Sequence, residues 1–169
     1  MGRDKALLAV DGVAMAARVA SALRAAGCDP VVAIGGDELG LSGVGLVVVP
    51  DRWPGEGPLG GVITSLEAHA RADAVFVVAC DLPWITPSTV KALRAGLDVT
   101  PQTDAVVAVT DRPQPLCVVW RRAALPTLRS QFSSGERRVH VALAALQVTE
   151  VAVNPQDLVN VNSPGDLPD

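Results

Sequence analysis

Val75–Pro87 reads VFVVACDLPWITP, and the six residues Ala74–Ala79 at its head form an unbroken apolar run. Such a run suits a strand buried on both faces of a parallel sheet. It stops at Cys80 and Asp81, which places a carboxylate at the strand's carboxyl end. In open α/β sheets ligands bind in the crevice outside those strand ends. Asp81 therefore either serves a ligand or ties down the turn before Pro83, and position alone leaves both readings open.

Working upstream, Arg52–Gly61 reads RWPGEGPLGG, with four glycines and two prolines in ten residues. A helix predicted over Leu59–Ala70 follows, with Ile63, Leu66 and Ala70 facing inward. Glycines before a helix let the backbone approach a ligand, and the helix start offers free N–H groups to an anion. Leu46–Val49 is a short strand ending at Pro50 and Asp51. Asp51 is thus expected as a second carboxylate at the same sheet edge, provided the strands run parallel. Val31–Ile34 is another strand, followed by the glycine turn Gly35–Glu38, and Val13–Ala26 has helical spacing through Met15, Val19 and Leu23 with Gly27 to end it. At the start, MGRDK groups Arg3, Asp4 and Lys5 beside Gly2, which suits an anion loop or a solvated terminus.

Downstream, Thr86 is a predicted N-cap and Pro87 a first helical residue, with Val90, Leu93 and Leu97 facing in. Strands are expected over Asp104–Val109, Leu116–Trp120 and Glu150–Val153, and helices through Leu125, Leu128 and Phe132 and through Val139, Leu143 and Leu146. Arg137 and Arg138 lie off the second stripe, where adjacent arginines form a solvated face or hold a phosphate. His140 is read as structural. Asn160 and Asn162 are two apart, so an extended backbone points both side chains one way. They either read a ligand edge or, with Ser163 and Pro164, Asn162 caps a short terminal helix.

The chain has 169 residues, 49% of them apolar, enough for one core, and a single domain is expected. Its net charge of −4 and scattered basic residues exclude the electrostatic footprint of a nucleic-acid binder. Three cysteines without metal spacing, Cys28, Cys80 and Cys117, suit reduced thiols of a cytoplasmic protein. No apolar run approaches the ~18 residues of a membrane span.

Taken together, MGRDKALL (Met1–Leu8), the Asp51 strand end, GPLGG (Gly57–Gly61), CDLPWITP (Cys80–Pro87), GERRV (Gly135–Val139) and VNVNSPGDL (Val159–Leu167) resemble the molybdenum cofactor guanylyltransferases, the MobA type of nucleotidyltransferase. The resemblance implies a three-layer α/β/α Rossmann-like fold with a mostly parallel sheet. It also implies transfer of GMP from GTP to molybdopterin, dependent on Mg2+, with pyrophosphate released. By the same resemblance Lys5 contacts nucleotide phosphates, Asp51 and Gly61 belong to the nucleotide site, and Asp81 binds the nucleotide and magnesium. Asn160, Asn162, Arg137 and Arg138 are carried over to the pterin side. Cofactor insertion proteins or target molybdoenzymes are implied partners, and the expected state is a monomer or weak oligomer. Two departures stand out. The family's LAGGxxxR loop would immediately precede MG, so the first strand and glycine-rich loop are expected to be missing. Ile34, Gly35 and Gly36 stand where many members carry a nucleotide-contacting asparagine. The alternatives are a relative using CTP or another acceptor, and an inactive pterin- or partner-binding homologue.

Overall fold

A computed structural model describes residues 4–162 and Asp166. The proposed cap at Ser163 and Pro164 and the Gly2–Arg3 part of the anion loop lie outside the described residues. The chain divides into two compact units, Met1–Val49 with Ala79–Lys91 and Asn154–Asp169, and Pro50–Val78 with Ala92–Val153.

In the first unit a short 3-10 turn, Lys5–Leu7, is capped by Asp4, whose Oδ1 accepts the Ala6 N–H at 3.0 Å. A hairpin follows, β1 (Ala9–Val10) against β2 (Val13–Ala14), joined by Asp11 and Gly12, both at positive φ (49° and 77°). That Asp-Gly pair is the sequence that a two-residue hairpin turn demands. Helix α1 (Met15–Ala25) buries Met15, Ala16, Val19, Ala20, Ala22 and Leu23. Strand β3 (Val32–Ile34) pairs in parallel with β4 (Val47–Val49), and between them α2 (Glu38–Gly43) is N-capped by Asp37. Ala6, Ala16, Ala20, Leu41 and Leu46 form the core here, and Val10, Met15 and Val161 form a second small cluster.

The second unit holds α3 (Pro58–Ala68), β5 (Ala74–Val78), β6 (Ala105–Val109), β7 (Pro113–Arg121), α5 (Leu125–Ser133), α6 (Val139–Leu143) and β8 (Val148–Ala152). Helix α4 (Pro87–Val99) starts in the first unit and ends in the second. The sheet order is β5-β7-β6-β8. β7 is antiparallel to β5 and to β6, while β6 and β8 are parallel, so three of the four strands share one direction. Trp120, Leu59, Ile63, Leu66, Leu128 and Val118 pack its core.

The expectation that the Val75 run is enclosed on both faces is corrected. β5 is an end strand, paired only with β7 among the described residues, and all five of its residues are half-buried. β4 belongs to the separate β3-β4 sheet, so Asp51 and Asp81 do not follow strands of one hydrogen-bonded sheet, contrary to the sequence expectation. Among the described residues no helix is long and apolar enough to cross a membrane.

Candidate functional site

Asp81 is delivered three residues after β5, and its backbone carbonyl accepts the Val161 N–H at 2.9 Å. That bond ties the C-terminal segment beside the CDLP turn. Val161 is wholly buried, which turns its neighbours Asn160 and Asn162 outward, and both are exposed. The 3-10 turn after Asp4 brings Lys5 to the same place. Lys5 Nζ donates to Asp81 Oδ2 and to Asn162 Oδ1, each at 2.7 Å. Three residues separated by 76 and 157 positions in the chain thus meet at one ammonium.

The chemistry of this meeting is asymmetric. An ammonium has three donors, and the described residues take two, leaving one for an oxygen of a ligand. Because Asn162 Oδ1 accepts from Lys5, its amide N–H donors are turned away from the ammonium. Asp81 Oδ1 is buried without a hydrogen-bond partner among the described residues. An orphaned carboxylate oxygen is costly in a protein interior unless a cation meets it. A hard divalent ion prefers such oxygens, and magnesium commonly takes one or two carboxylates with phosphate oxygens completing its shell. The donor set at Asp81 fits that ion, although no cluster of three or more potential ligands occurs among the described residues. Asp4 steadies the approach, its Oδ2 accepting the Asp37 N–H at 2.8 Å while its Oδ1 caps the Lys5 turn. Beside Asp81, burial pushes the Cys80 thiol up to about 11, with the Asp81 and Asp4 charges adding to the rise and Lys5 opposing it. Cys80 is therefore a neutral thiol at neutral pH.

Asp51, Gly61, Arg137 and Arg138 belong to the second unit. Asp51 Oδ1 accepts the Trp53 N–H at 3.1 Å and the Thr64 hydroxyl at 3.0 Å. Thr64 in turn accepts the Arg52 N–H at 3.3 Å and is 2% exposed. This buried hydroxyl sets the direction of the carboxylate, and sequence reasoning missed it because one threonine on an apolar helix face carries no spacing signal. Gly61 stands on α3 with open space where a Cβ would point. The guanidinium of Arg137 is bonded to Glu56 and to two carbonyls, and Arg138 pairs with Glu136. The Arg138 hydrogen bond brings the Glu136 carboxyl down to about 2. Nearby, Glu67 receives both Arg52 and Arg129; its burial favours the neutral acid, but the two guanidiniums prevail and lower its pKa.

Comparison with known proteins identifies the family. Residues 1–157 match the family described as the MobA-like NTP transferase domain. A probable molybdenum cofactor guanylyltransferase of Chloroflexus aggregans is 37% identical over 133 residues, covering 71% of this chain and 62% of that protein. The molybdenum cofactor guanylyltransferase of Rhodobacter capsulatus is 31% identical over 172 residues, covering 99% and 86%. In fold, the chain is similar to the molybdopterin-guanine dinucleotide biosynthesis protein A of Archaeoglobus fulgidus, with a TM-score of 0.74 and 21% identity over 96% of this chain and 86% of that one. The α/β fold is that of nucleotidyltransferases, and the chain belongs to the MobA-like NTP transferase family.

Proposed function

We propose that the protein transfers GMP from GTP to molybdopterin, releasing pyrophosphate, in the cytoplasm. The observation that carries this reading is the convergence of Lys5, Asp81 and Asn162 on one ammonium, with an orphaned Asp81 oxygen beside it. Both substrates are anionic, so the chain's task is positioning and charge neutralisation rather than covalent catalysis. Asp81 would hold magnesium through Oδ1, and the ion would supply neutralising charge to phosphate oxygens. Lys5 offers its remaining donor to a nucleotide phosphate, a compact charge on a flexible stem. Asn162 presents its amide N–H groups, and with Asn160 faces the pterin. Asp51, aimed by Thr64, and the open Gly61 contact the nucleotide. Arg138, exposed and paired among the described residues with Glu136 alone, is the basic side chain of its pair with donors left for an acceptor phosphate.

Calorimetric titration of GTP and CTP with magnesium tests the reading. GTP binding tighter than CTP binding is expected. Failure of the protein to bind any nucleotide overturns the reading.

A further inference from the structure

The Arg137–Arg138 pair is expected to meet a phosphate, yet the two guanidiniums are placed differently. Arg137 Nε and Nη2 both donate to Glu56 Oε2, at 2.9 and 2.6 Å. Its Nη1 donates to the carbonyls of Phe132 at 2.7 Å and Glu136 at 3.0 Å. A guanidinium has five N–H donors, so these four bonds leave one. One flat face is covered as well, because Cζ lies 3.9 Å from the centre of the Phe132 ring. An anion would find little of this group to bind.

What Arg137 does hold is the RWPGEGPLGG loop. Glu56 sits in the middle of that loop. At the loop's start, Trp53 packs on the other partner of Arg137, the Phe132 ring, with centroids 5.0 Å apart. At its end, the Arg137 carbonyl accepts the Leu59 N–H at 3.3 Å, within the first turn of α3. Gly57 has φ +87°, and a Cβ there would stand 3.2 Å from Arg137 Cβ and 3.4 Å from its carbonyl oxygen. Start, middle and end of the loop are thus all secured against Phe132 and Arg137. Gly55 within the loop and Gly61 at its last position keep open space where a Cβ would point.

The geometry points to Arg137 as a positioning residue that clasps the Trp53–Gly57 loop through Glu56 and so sets nucleotide affinity, rather than as a ligand of the acceptor phosphate. The inference rests on the reading of this loop as nucleotide-contacting. Glu56 is the informative partner, since it is half exposed and Glu56→Gln removes only a charge. GTP affinity is measured by calorimetry with magnesium for the wild type, Glu56→Gln, Arg137→Ala and the double variant, together with the KM for molybdopterin. Glu56→Gln is expected to weaken GTP binding about five-fold. Arg137→Ala is expected to weaken it further, the double variant no more than Arg137→Ala alone, with the molybdopterin KM unchanged in all. Arg137→Lys, which can still meet Glu56, recovers part of the loss. A raised molybdopterin KM in Arg137→Ala with GTP affinity intact and Glu56→Gln silent overturns the inference and returns Arg137 to the acceptor site. A wild type that binds no GTP defeats the transfer reading instead. The clasp is then judged by trypsin cleavage after Arg52, a site that Glu56→Gln leaves in place. Faster cutting in that variant at an unchanged melting temperature upholds the clasp, and equal rates reject it.

Discussion

Replacing Asp81 by Asn is the sharpest probe of the Lys5 cluster, because it removes a charge while keeping shape. The backbone carbonyl of Asp81, which accepts from Val161, is untouched, so the C-terminal segment stays in place. Asn can still accept from Lys5 through its amide oxygen. The lost quantity is electrostatic: a carboxylate 2.7 Å from an ammonium, with side-chain exposures of 19% for Asp81 and 35% for Lys5. Two unit charges ~4 Å apart interact by about 4 kcal/mol at an effective dielectric near 20. A hydrogen bond to a charged group contributes roughly 1.5–3 kcal/mol net. Solvent at the third-exposed lysine trims the first figure towards the second. If that stabilisation is expressed in the transition state, about 3 kcal/mol corresponds to a rate loss of roughly 100-fold.

The assay is the initial rate of pyrophosphate release from GTP and molybdopterin across a magnesium series, for wild type and Asp81→Asn. The variant should stay folded at the assay temperature, its melting temperature lowered by up to about 10 °C, while kcat falls about 100-fold and the magnesium midpoint moves upward. A matched loss of folded protein would explain the rate trivially, so the melting curve is part of the result. An Asp81→Asn protein that turns over within about three-fold of wild type at the wild-type magnesium midpoint refutes the reasoning, since one decade is only 1.36 kcal/mol.

Two further outcomes follow from buried groups. Thr64→Val keeps volume but removes the hydroxyl that donates to Asp51 and accepts from Arg52 N–H; stability should fall by about 1–3 kcal/mol in denaturant titration. GTP KM should rise at nearly constant kcat, Thr64→Ser should restore it, and an unchanged KM would show that the hydroxyl does not aim Asp51. Burial pushes the Cys117 thiol up to about 12, against 9.0 for the free group. The unfolded chain therefore loses this proton first, so the contribution is intact below pH 9 and is lost as pH rises from 9 towards 12. With no tyrosine in the chain, thiols and lysines carry the alkaline titration. The melting temperature should decline over that window less steeply in Cys117→Ala, and equal slopes would exclude the thiol as the cause.

Where local chemistry alone selects a structure, the sequence was legible. The Thr86-Pro87 start of α4 is one such case: the Thr86 hydroxyl accepts the Thr89 N–H at 3.2 Å, as an N-cap should. The Asp11-Gly12 turn carries an equally local signal, but its strands are two residues long and their alternation is too brief to register. β7 misled for a different reason. The strand is expected from Leu116, yet β7 begins at Pro113, and a register shift opposite Val107 and Ala108 accommodates a proline that cannot donate to a ladder. The parallel setting expected of β5 fails against its described ladder partner, because an apolar run carries no information on its neighbour's direction, and β7 runs antiparallel to it.

The site divides along the same line. Residue types at Lys5, Asp81 and Asn162 suggested anion and cation chemistry, the family resemblance singled the three out, and in the fold they meet. No spacing rule could state that Asn162 returns across 157 positions to share the Lys5 ammonium. Nor could spacing tell an arginine aimed at a ligand from one aimed at its own fold. Arg137 and Arg138 are adjacent and identical in type. One is 36% exposed and bonded to Glu56, 81 residues away, while the other is 66% exposed and bonded, among the described residues, to Glu136 two positions before it. Their difference is created by Phe132, whose ring and carbonyl both receive the Arg137 guanidinium. The proposed roles follow from what already occupies the donors of each: Arg137, held by Glu56 and Phe132, is proposed to shape the loop, and Arg138 to meet an anion.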